Sequence, residues 1–138
     1  MLVKVSEYLK GKTMAHLNTK KPTLFENILD HMKIAVTCVD ADGKILYANT
    51  AATKRPSKAP REIGVNIREC HKDASNEKIA VIFKDFRNGR REPHHYVSTI
   101  TGRRDLVTMI PMFEAGEFSG CVSHVHPLEL EGTERSFI

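Results

Sequence analysis

The sequence predicts an α+β protein: a five-stranded antiparallel sheet with helices on one face, preceded by an N-terminal helical leader. Three observations indicate this class. Two short strands separated by a turn stand at 34–39 and 44–48. A long amphipathic helix spans 74–88, and three strands joined by glycine-bearing turns follow it. A single sheet whose helices are inserted between its second and third strands is an α+β arrangement.

Length and composition predict one globular domain with flanking segments. The 138 residues divide into an arm or helix at 1–21, a folded domain at 22–127 and a tail at 128–138. The hydrophobic fraction of 41% and the charged fraction of 28% are ordinary for a soluble globular protein. Residues 1–21 are weakly patterned, so either a flexible end or a helix that packs on a partner chain fits them.

The first helix of the domain is predicted at 22–32. Thr23 is followed three residues later by Glu26, which is the spacing of a capping box. The apolar residues of this segment share one stripe: Leu24, Phe25, Ile28, Leu29 and Met32. Because the helix runs directly into the first strand, we expect the stripe to pack close to the sheet or across a dimer interface.

The two strands that follow form a predicted hairpin. Asp40 and Asp42 bond readily to nearby backbone, and Gly43 accepts the positive φ that a tight turn requires. Asn49 stands where the second strand gives way to small residues. We therefore expect Gly43 and Asn49 to be structural residues, with Asn49 anchoring the exit from the strand.

Short helical turns are predicted next, at 50–64, because Pro56 and Pro60 forbid a long helix there. A brief segment of alternating apolar residues follows at 65–70. Two prolines and a change of pattern thus separate the hairpin from the long helix.

The long helix at 74–88 is the most clearly patterned element. Asp73 or Ser75 is expected to cap its start, and Gly89 to end it. Its core face is expected to hold four residues at i, i+3, i+4 and i+7: Ile79, Ile82, Phe83 and Phe86.

Three strands are predicted after this helix, at 94–100, 105–113 and 118–126. Glycine-bearing turns between runs of period two are typical of antiparallel hairpins. Pro111 has no amide hydrogen to donate, so it predicts a bulge or a late edge position in the middle strand.

The stretch from Val39 to Ala52, VDADGKILYANTAA, resembles the first hairpin of the PAS family of sensory domains. Hairpins of that family typically end in such an asparagine followed by small residues. Weaker similarities are EIGVN at 62–66, Asn88-Gly89, and FSGCV at 118–122.

Two further segments, ECHKDAS at 69–75 and FRNGRR at 86–91, resemble a PAS subgroup in which a Cys-His pair precedes the long helix. Lys72 stands where that subgroup normally has proline. In all, the resemblance covers residues 23–126.

The resemblance implies a sheet whose helices enclose a small-molecule pocket, and a function in sensing by regulated association. We therefore expect a sensory signal-transduction module with a small ligand in an apolar pocket, and not an enzyme. A homodimer and a protein partner regulated in trans are expected, with transcription regulation as a candidate output. A ligand-free dimerisation scaffold is the alternative from a different class.

The residues expected to face the pocket lie on the long helix and on the fourth strand: Ile79, Ile82, Phe83, Phe86, Thr108, Met109, Ile110 and Met112. Methionine lines adaptable apolar cavities well. Most of these side chains must also form the core.

Haem is the alternative cofactor, because histidine is its common axial ligand. The candidate ligands are His71, just before the long helix, and His94 and His95, at the start of the third strand. Flavin is less favoured, since Cys70 lacks the surrounding motif of light-sensing PAS domains. No metal site is expected, because Cys121 points to the opposite face of its strand from His124 and His126.

The sequence lacks the motifs typical of enzymes, nucleic-acid-binding proteins and membrane proteins. No motif of a hydrolase, a metalloprotease or a nucleotide-binding loop occurs. The net charge is +4, but its arginines cluster around turns, where solvated side chains explain them, and direct nucleic-acid binding is not expected. No apolar run is long enough to span a membrane. Three scattered cysteines fit a reducing, cytoplasmic setting.

Overall fold

The computed structural model describes residues 21–129. Its helices and strands, in chain order, are α1 (Leu24–His31), β1 (Ala35–Asp40), β2 (Ile45–Ala48), α2 (Thr50–Thr53), α3 (Ile67–Cys70), α4 (Asp73–Arg87), β3 (His94–Ser98), β4 (Asp105–Glu114) and β5 (Glu117–Pro127). The predicted leader and most of the predicted tail lie outside the described residues. The order of elements confirms the predicted α+β class.

The five strands form one antiparallel sheet in the order β2-β1-β5-β4-β3. The last strand therefore lies at the centre and joins the first hairpin to the strands that follow α4. Gly120 in β5 is required by this pairing, because a Cβ at this position would lie 2.3 Å from the backbone oxygen of Val39. Any side chain there would force β1 away from β5.

The hydrophobic core lies between the sheet and helices α3 and α4. The four residues predicted as the core face of α4, from Ile79 to Phe86, are all buried. They pack against buried residues of the sheet, which are Val39, Ile45, Val107, Met109 and Cys121. Phe86 is fully buried, and burial of such a side chain contributes about 1.5–3 kcal/mol.

The starts of two helices differ from the prediction. The N-cap of α4 is Lys72, with no side-chain hydrogen bond, so capping by Asp73 or Ser75 is wrong. The alternating segment at 65–70 contains the one-turn helix α3. Asn66 and Glu69 form a full capping box there. The Asn66 side chain accepts from the backbone N–H of Glu69, and the Glu69 side chain accepts from the backbone N–H of Asn66.

Pro111 lies in β4 where that strand has lost one neighbour. The pairing of β3 with β4 ends at His94 and Met109, so β4 is an edge strand on that side from there on. The prediction of a late edge position is confirmed. A bulge is also present, between Met112 and Phe113.

Helix α1 does not bury its apolar stripe, and the expectation that the stripe packs on the sheet is wrong. None of the residues of α1 is buried. Leu24 is 70% exposed, Phe25 75% and Ile28 51%. The helix is instead held by polar contacts to the hairpin exit, such as the Tyr47 hydroxyl donating to the Glu26 carbonyl at 3.1 Å.

Asn49 is the residue that holds α1, β1 and α2 together. Its side-chain nitrogen donates to the carbonyls of Leu29 at 2.8 Å and Ile34 at 2.9 Å. Its side-chain oxygen accepts from the amides of Val36 at 2.9 Å and Ala52 at 3.0 Å. The residue is fully buried, so these four hydrogen bonds form in a dry environment.

Replacing Asn49 with alanine is expected to lower the free energy of unfolding by about 3 kcal/mol. Four backbone groups lose their partner, and each buried group left unsatisfied costs about 1–3 kcal/mol unless it can reach water. Denaturant titration measures the loss. Asn88→Ala, at an exposed asparagine after α4, is the control and is expected to change stability by less than about 0.5 kcal/mol. Equal stability of the two variants would contradict the role given to Asn49.

Candidate functional site

A cavity of about 70 Å³ lies between the sheet and the helical side of the molecule. All five strands contribute to it, together with the segment between α2 and α3, helix α3 and the first turns of α4. The lining residues are Ala35, Thr37, Val39, Ile45, Arg55, Arg61, Ile67, Cys70, His71, Ser75, Ile79, Tyr96, Ser98, Ile100, Val107, Met109, Cys121, Ser123 and Val125.

Strand alternation decides which sheet residues reach the cavity. In β5, Cys121, Ser123 and Val125 line it, whereas the residues between them point to the other face. In β4 the lining residues are Val107 and Met109. The sheet thus offers a floor that is mostly apolar with single hydroxyl groups.

Of the eight residues predicted to face a pocket, the structure places Ile79 and Met109 at the cavity. Ile82, Phe83 and Phe86 lie further along α4, inside the core. Phe83 and Phe86 pack on the ring of Phe118, with ring centroids 5.4 and 5.7 Å apart. This end of the space under α4 is therefore filled by aromatic rings.

The other three predicted residues, Thr108, Ile110 and Met112, alternate with cavity-facing positions of β4 and lie on the opposite face of the sheet. The Thr108 hydroxyl lies 2.9 Å from Nδ1 of His95 on that face. Their placement toward the pocket was wrong, because the sequence does not show which face of a two-sided apolar strand meets the helices.

Two arginines lie in the cavity wall. The sequence did not indicate either of them as a site residue. Arg55 and Arg61 both belong to the proline-containing segment between α2 and α3. Nη1 of Arg55 donates to the Asp105 carboxylate at 3.2 Å, and the Thr101 hydroxyl donates to the same oxygen at 3.0 Å. The charge of Arg55 is thereby paired with a buried carboxylate.

Arg61 has no such partner among residues 21–129. Its Nη2 is 3.5 Å from the Pro56 carbonyl, which is a weak hydrogen bond, and its buried Nε makes none. Burial lowers the pKa of the Arg61 guanidinium, and the positive charge of Arg55 lowers it further. Since arginine stays protonated in proteins, the cavity wall carries a cation without a counter-charge.

Tyr96 and His71 are two titratable side chains that line the cavity with Arg61. Burial raises the pKa of Tyr96, against the opposing influence of Arg55 and Arg61. Burial lowers the pKa of His71 below its usual value, and the two arginines add to this, while a hydrogen bond to the Ile67 carbonyl acts in the opposite direction. His71 is therefore neutral near pH 7.

The three histidines considered as haem ligands do not converge. His71 lies at the cavity and donates from Nδ1 to the Ile67 carbonyl at 2.7 Å, which leaves Nε2 available. Nε2 of His94 is 2.9 Å from the Asp85 carboxylate. His95 lies on the opposite face of the sheet with Thr108.

Haem and flavin do not fit the cavity as it stands. Sites for ligands of drug size enclose about 300–1,000 Å³, and this cavity encloses about 70 Å³. Cys70 is buried beside it, with its sulfur 4.0 Å from the carbonyls of Pro60 and Asn66. The space suits a much smaller molecule.

The cysteines and histidines at 38, 121, 124 and 126 do not add a metal site. Burial and the neighbouring Asp40 raise the pKa of Cys38 to about 11, and burial and Cys38 raise that of Cys121 to about 12, so both thiols stay protonated near neutral pH. His124 and His126 share a face, as predicted, with their Nδ1 atoms 3.1 Å apart. Within residues 21–129 no group of three or more potential ligands could hold a metal ion.

Comparison with known proteins identifies the fold family. A family model described as a PAS domain matches residues 25–127, which is most of the chain. The chain therefore belongs to the PAS domain family, as its first hairpin indicated. Domains of this family are generally sensory signal-transduction modules and not enzymes. No curated protein matches the chain, and no helix within residues 21–129 is long and apolar enough to cross a membrane.

Solved structures show the same architecture. A C-terminal domain from Streptococcus mutans is 25% identical, with a TM-score of 0.62 over 80% of this chain and 93% of that one. The PAS domain of Bordetella pertussis BvgS is 19% identical, with a TM-score of 0.58 over 78% and 85% of the two chains. The Aer2 receptor from Vibrio cholerae, described as a dual PAS-heme oxygen sensor, is 23% identical, with a TM-score of 0.51 over 70% and 95%.

The lowered pKa of His71 predicts that acid destabilises the fold. In the unfolded chain this histidine takes up a proton as the pH falls through about 6.5, whereas the folded protein resists protonation. The contribution of neutral His71 to the free energy of unfolding is complete above pH ~6.5 and is lost as the pH falls toward the folded-state pKa. Denaturant titrations between pH 7.5 and pH 5 are expected to show a smaller fall in unfolding free energy for His71→Gln than for the native protein.

His31→Gln is the matched control for this measurement. His31 makes the same type of bond, from Nδ1 to the Asn27 carbonyl at 2.8 Å, but on an exposed helix. The control is expected to keep the native pH dependence. An unchanged pH dependence in His71→Gln would show that His71 is not the buried titrating group.

Proposed function

We propose that this PAS domain is a sensory module that binds a small ligand in the cavity and regulates a protein partner through protein–protein interaction. The observation that carries the proposal is the cavity itself, which is lined by both the sheet and the helical side and includes charged and hydroxyl groups in its wall. Empty packing gaps are apolar, whereas the polar groups of this wall can hydrogen-bond to water or to a ligand that displaces it.

The mechanism follows from the position of the cavity. A ligand there would contact β4 and β5 on one side and the segment bearing Arg55 and Arg61 on the other. It would shift the population toward the arrangement of segment and sheet that it binds better. The altered surface would be sensed by a partner in trans, with transcription regulation among the candidate outputs. Three free thiols support a reducing, cytoplasmic location.

Native mass spectrometry of the freshly purified protein tests ligand binding. We expect a small molecule that is retained under native conditions and released on denaturation. Ser123→Leu fills the cavity and is expected to abolish retention, because Ser123 lines it. Val122→Leu places the same leucine side chain on the opposite face of β5 and is expected to retain the ligand.

Three results would contradict this function in different ways. Retention that survives Ser123→Leu would place the ligand elsewhere. If neither the native protein nor Ser123→Leu retains a small molecule, the result would favour the ligand-free dimerisation scaffold. A haem absorption band in the native protein that is lost in His71→Gln would favour the haem sensor over the small-ligand module.

We further propose that the module is a homodimer that pairs the α1 stripe with the same stripe of a second copy. Four large apolar side chains are exposed along this stripe, and even the least exposed of them, Met32, is 38% exposed. The four are Leu24, Phe25, Ile28 and Met32. Helices of eight residues depend on packing of their apolar face for stability. A self-complementary contact about a two-fold axis covers both stripes at once.

Light scattering after size-exclusion chromatography tests this pairing. The native protein is expected at twice its 15.6 kDa chain mass, and Ile28→Asp as a monomer. Asn27→Asp introduces the same charge at the neighbouring exposed position and is expected to remain dimeric. A monomeric native protein, or a dimer that survives Ile28→Asp, would remove α1 as the dimer element.

A further inference from the structure

The cation in the cavity wall restricts what the ligand can be. Arg55 is neutralised by Asp105, but Arg61 has no carboxylate partner among residues 21–129. Its Nε is buried with no hydrogen-bond acceptor. Arg61 as a whole is half-buried, and a guanidinium pairs best with an anion that offers two oxygens in one plane.

The rest of the wall selects among anions. The floor opposite the arginines is largely apolar, formed by Val107, Met109 and Val125 with Ile79 above them. Against these four apolar side chains an anion loses its water without replacement, so polar contacts are confined to the arginines and to the hydroxyl groups elsewhere in the wall. An anion with a short hydrocarbon part gains from the same contact.

The volume limits the size of the ligand. About 70 Å³ of cavity holds on the order of five waters, since each needs about 10–15 Å³. A ligand with on the order of five non-hydrogen atoms therefore fits without rearrangement. Tyr96 borders the same space, and its neutral phenol is a further donor to a bound anion.

We infer that the ligand of this domain is a short-chain monocarboxylate, held with its carboxylate on Arg61 and its hydrocarbon part against the floor of β4 and β5. This inference rests on the proposed ligand-binding function and names its ligand class. Arg61 lies between Pro60 and the capping residues of α3, so an anion bound to it ties that segment to the sheet.

Calorimetry and thermal melting of the full chain test the inference, with sodium propionate and sodium butyrate as probes. Saturable binding and a raised melting temperature are expected, relative to sodium chloride at equal ionic strength. Propionamide, which has the same shape without the charge, is expected to bind at least tenfold more weakly. Arg61→Gln is expected to raise the Kd for propionate at least tenfold.

Matched variants separate the role of Arg61 from general charge effects. Arg68→Gln removes an exposed arginine of the neighbouring turn that does not line the cavity, and it is expected to keep native affinity. Arg61→Lys keeps the charge without the two-pronged geometry, and an intermediate Kd is expected. It also provides a second variant if Arg61→Gln folds poorly.

Several outcomes would overturn the inference. Propionate binding that is equal in Arg61→Gln, or the absence of any binding by both carboxylates, would refute it. Tighter binding of inorganic phosphate than of propionate would refute the carboxylate assignment. If native mass spectrometry then shows a retained neutral molecule lost in Ser123→Leu, this inference fails while the proposed function stands. If nothing is retained either, both fail.

Discussion

The side chain of Asn49 is the constraint on which the positions of the other elements depend. Its four hydrogen bonds fix the end of α1, the start of β1 and the first turn of α2 around one buried amide group. Only a side chain with both donors and an acceptor can satisfy two carbonyls and two amides at once. Because α2 leads directly into the segment with Arg55 and Arg61, this amide also sets where the charged wall of the cavity stands.

The cavity and the hydrophobic core share the space between α4 and the sheet. The residues along α4 decide which part of that space is open and which is filled. Ser75 and Ile79, on the first turns of the helix, face the cavity. Phe83 and Phe86, on the last turns, meet Phe118 and fill the other end. Aromatic side chains thus close the space at one end, whereas smaller residues leave it open where the arginines approach. The result is a small chamber beside a filled core, which suits a small ligand and not a macrocycle.

Within residues 21–129, the charges at the cavity are the ion pair of Arg55 with Asp105 and the guanidinium of Arg61, which has no carboxylate partner there. Asp105 is buried, and its Oδ2 accepts from both Arg55 and the Thr101 hydroxyl, so the charge of this carboxylate is paired with Arg55. Burial, together with the positive charges of Arg61 and Arg55, lowers the pKa of His71 and keeps it neutral. The net charge of +4 does not show which arginines lie at the cavity. Other arginines have different surroundings: the guanidinium carbon of Arg91, for example, lies 4.2 Å from the ring centroid of Phe113.

The sequence by itself determined the class, the family, the order of the strands and of the two longer helices, and the buried face of α4. These follow from local rules: hydrophobic period, turn chemistry at Gly43, and a recognisable hairpin ending at Asn49. Only the tertiary structure decided which face of β4 meets the helices, that the stripe of α1 stays exposed, and that Arg55 and Arg61 enter the cavity. An arginine after a proline looks the same in solvent and in a chamber wall. The difference arises from Asp105, fifty residues away in the chain from Arg55, and such pairings exist only once the chain has folded.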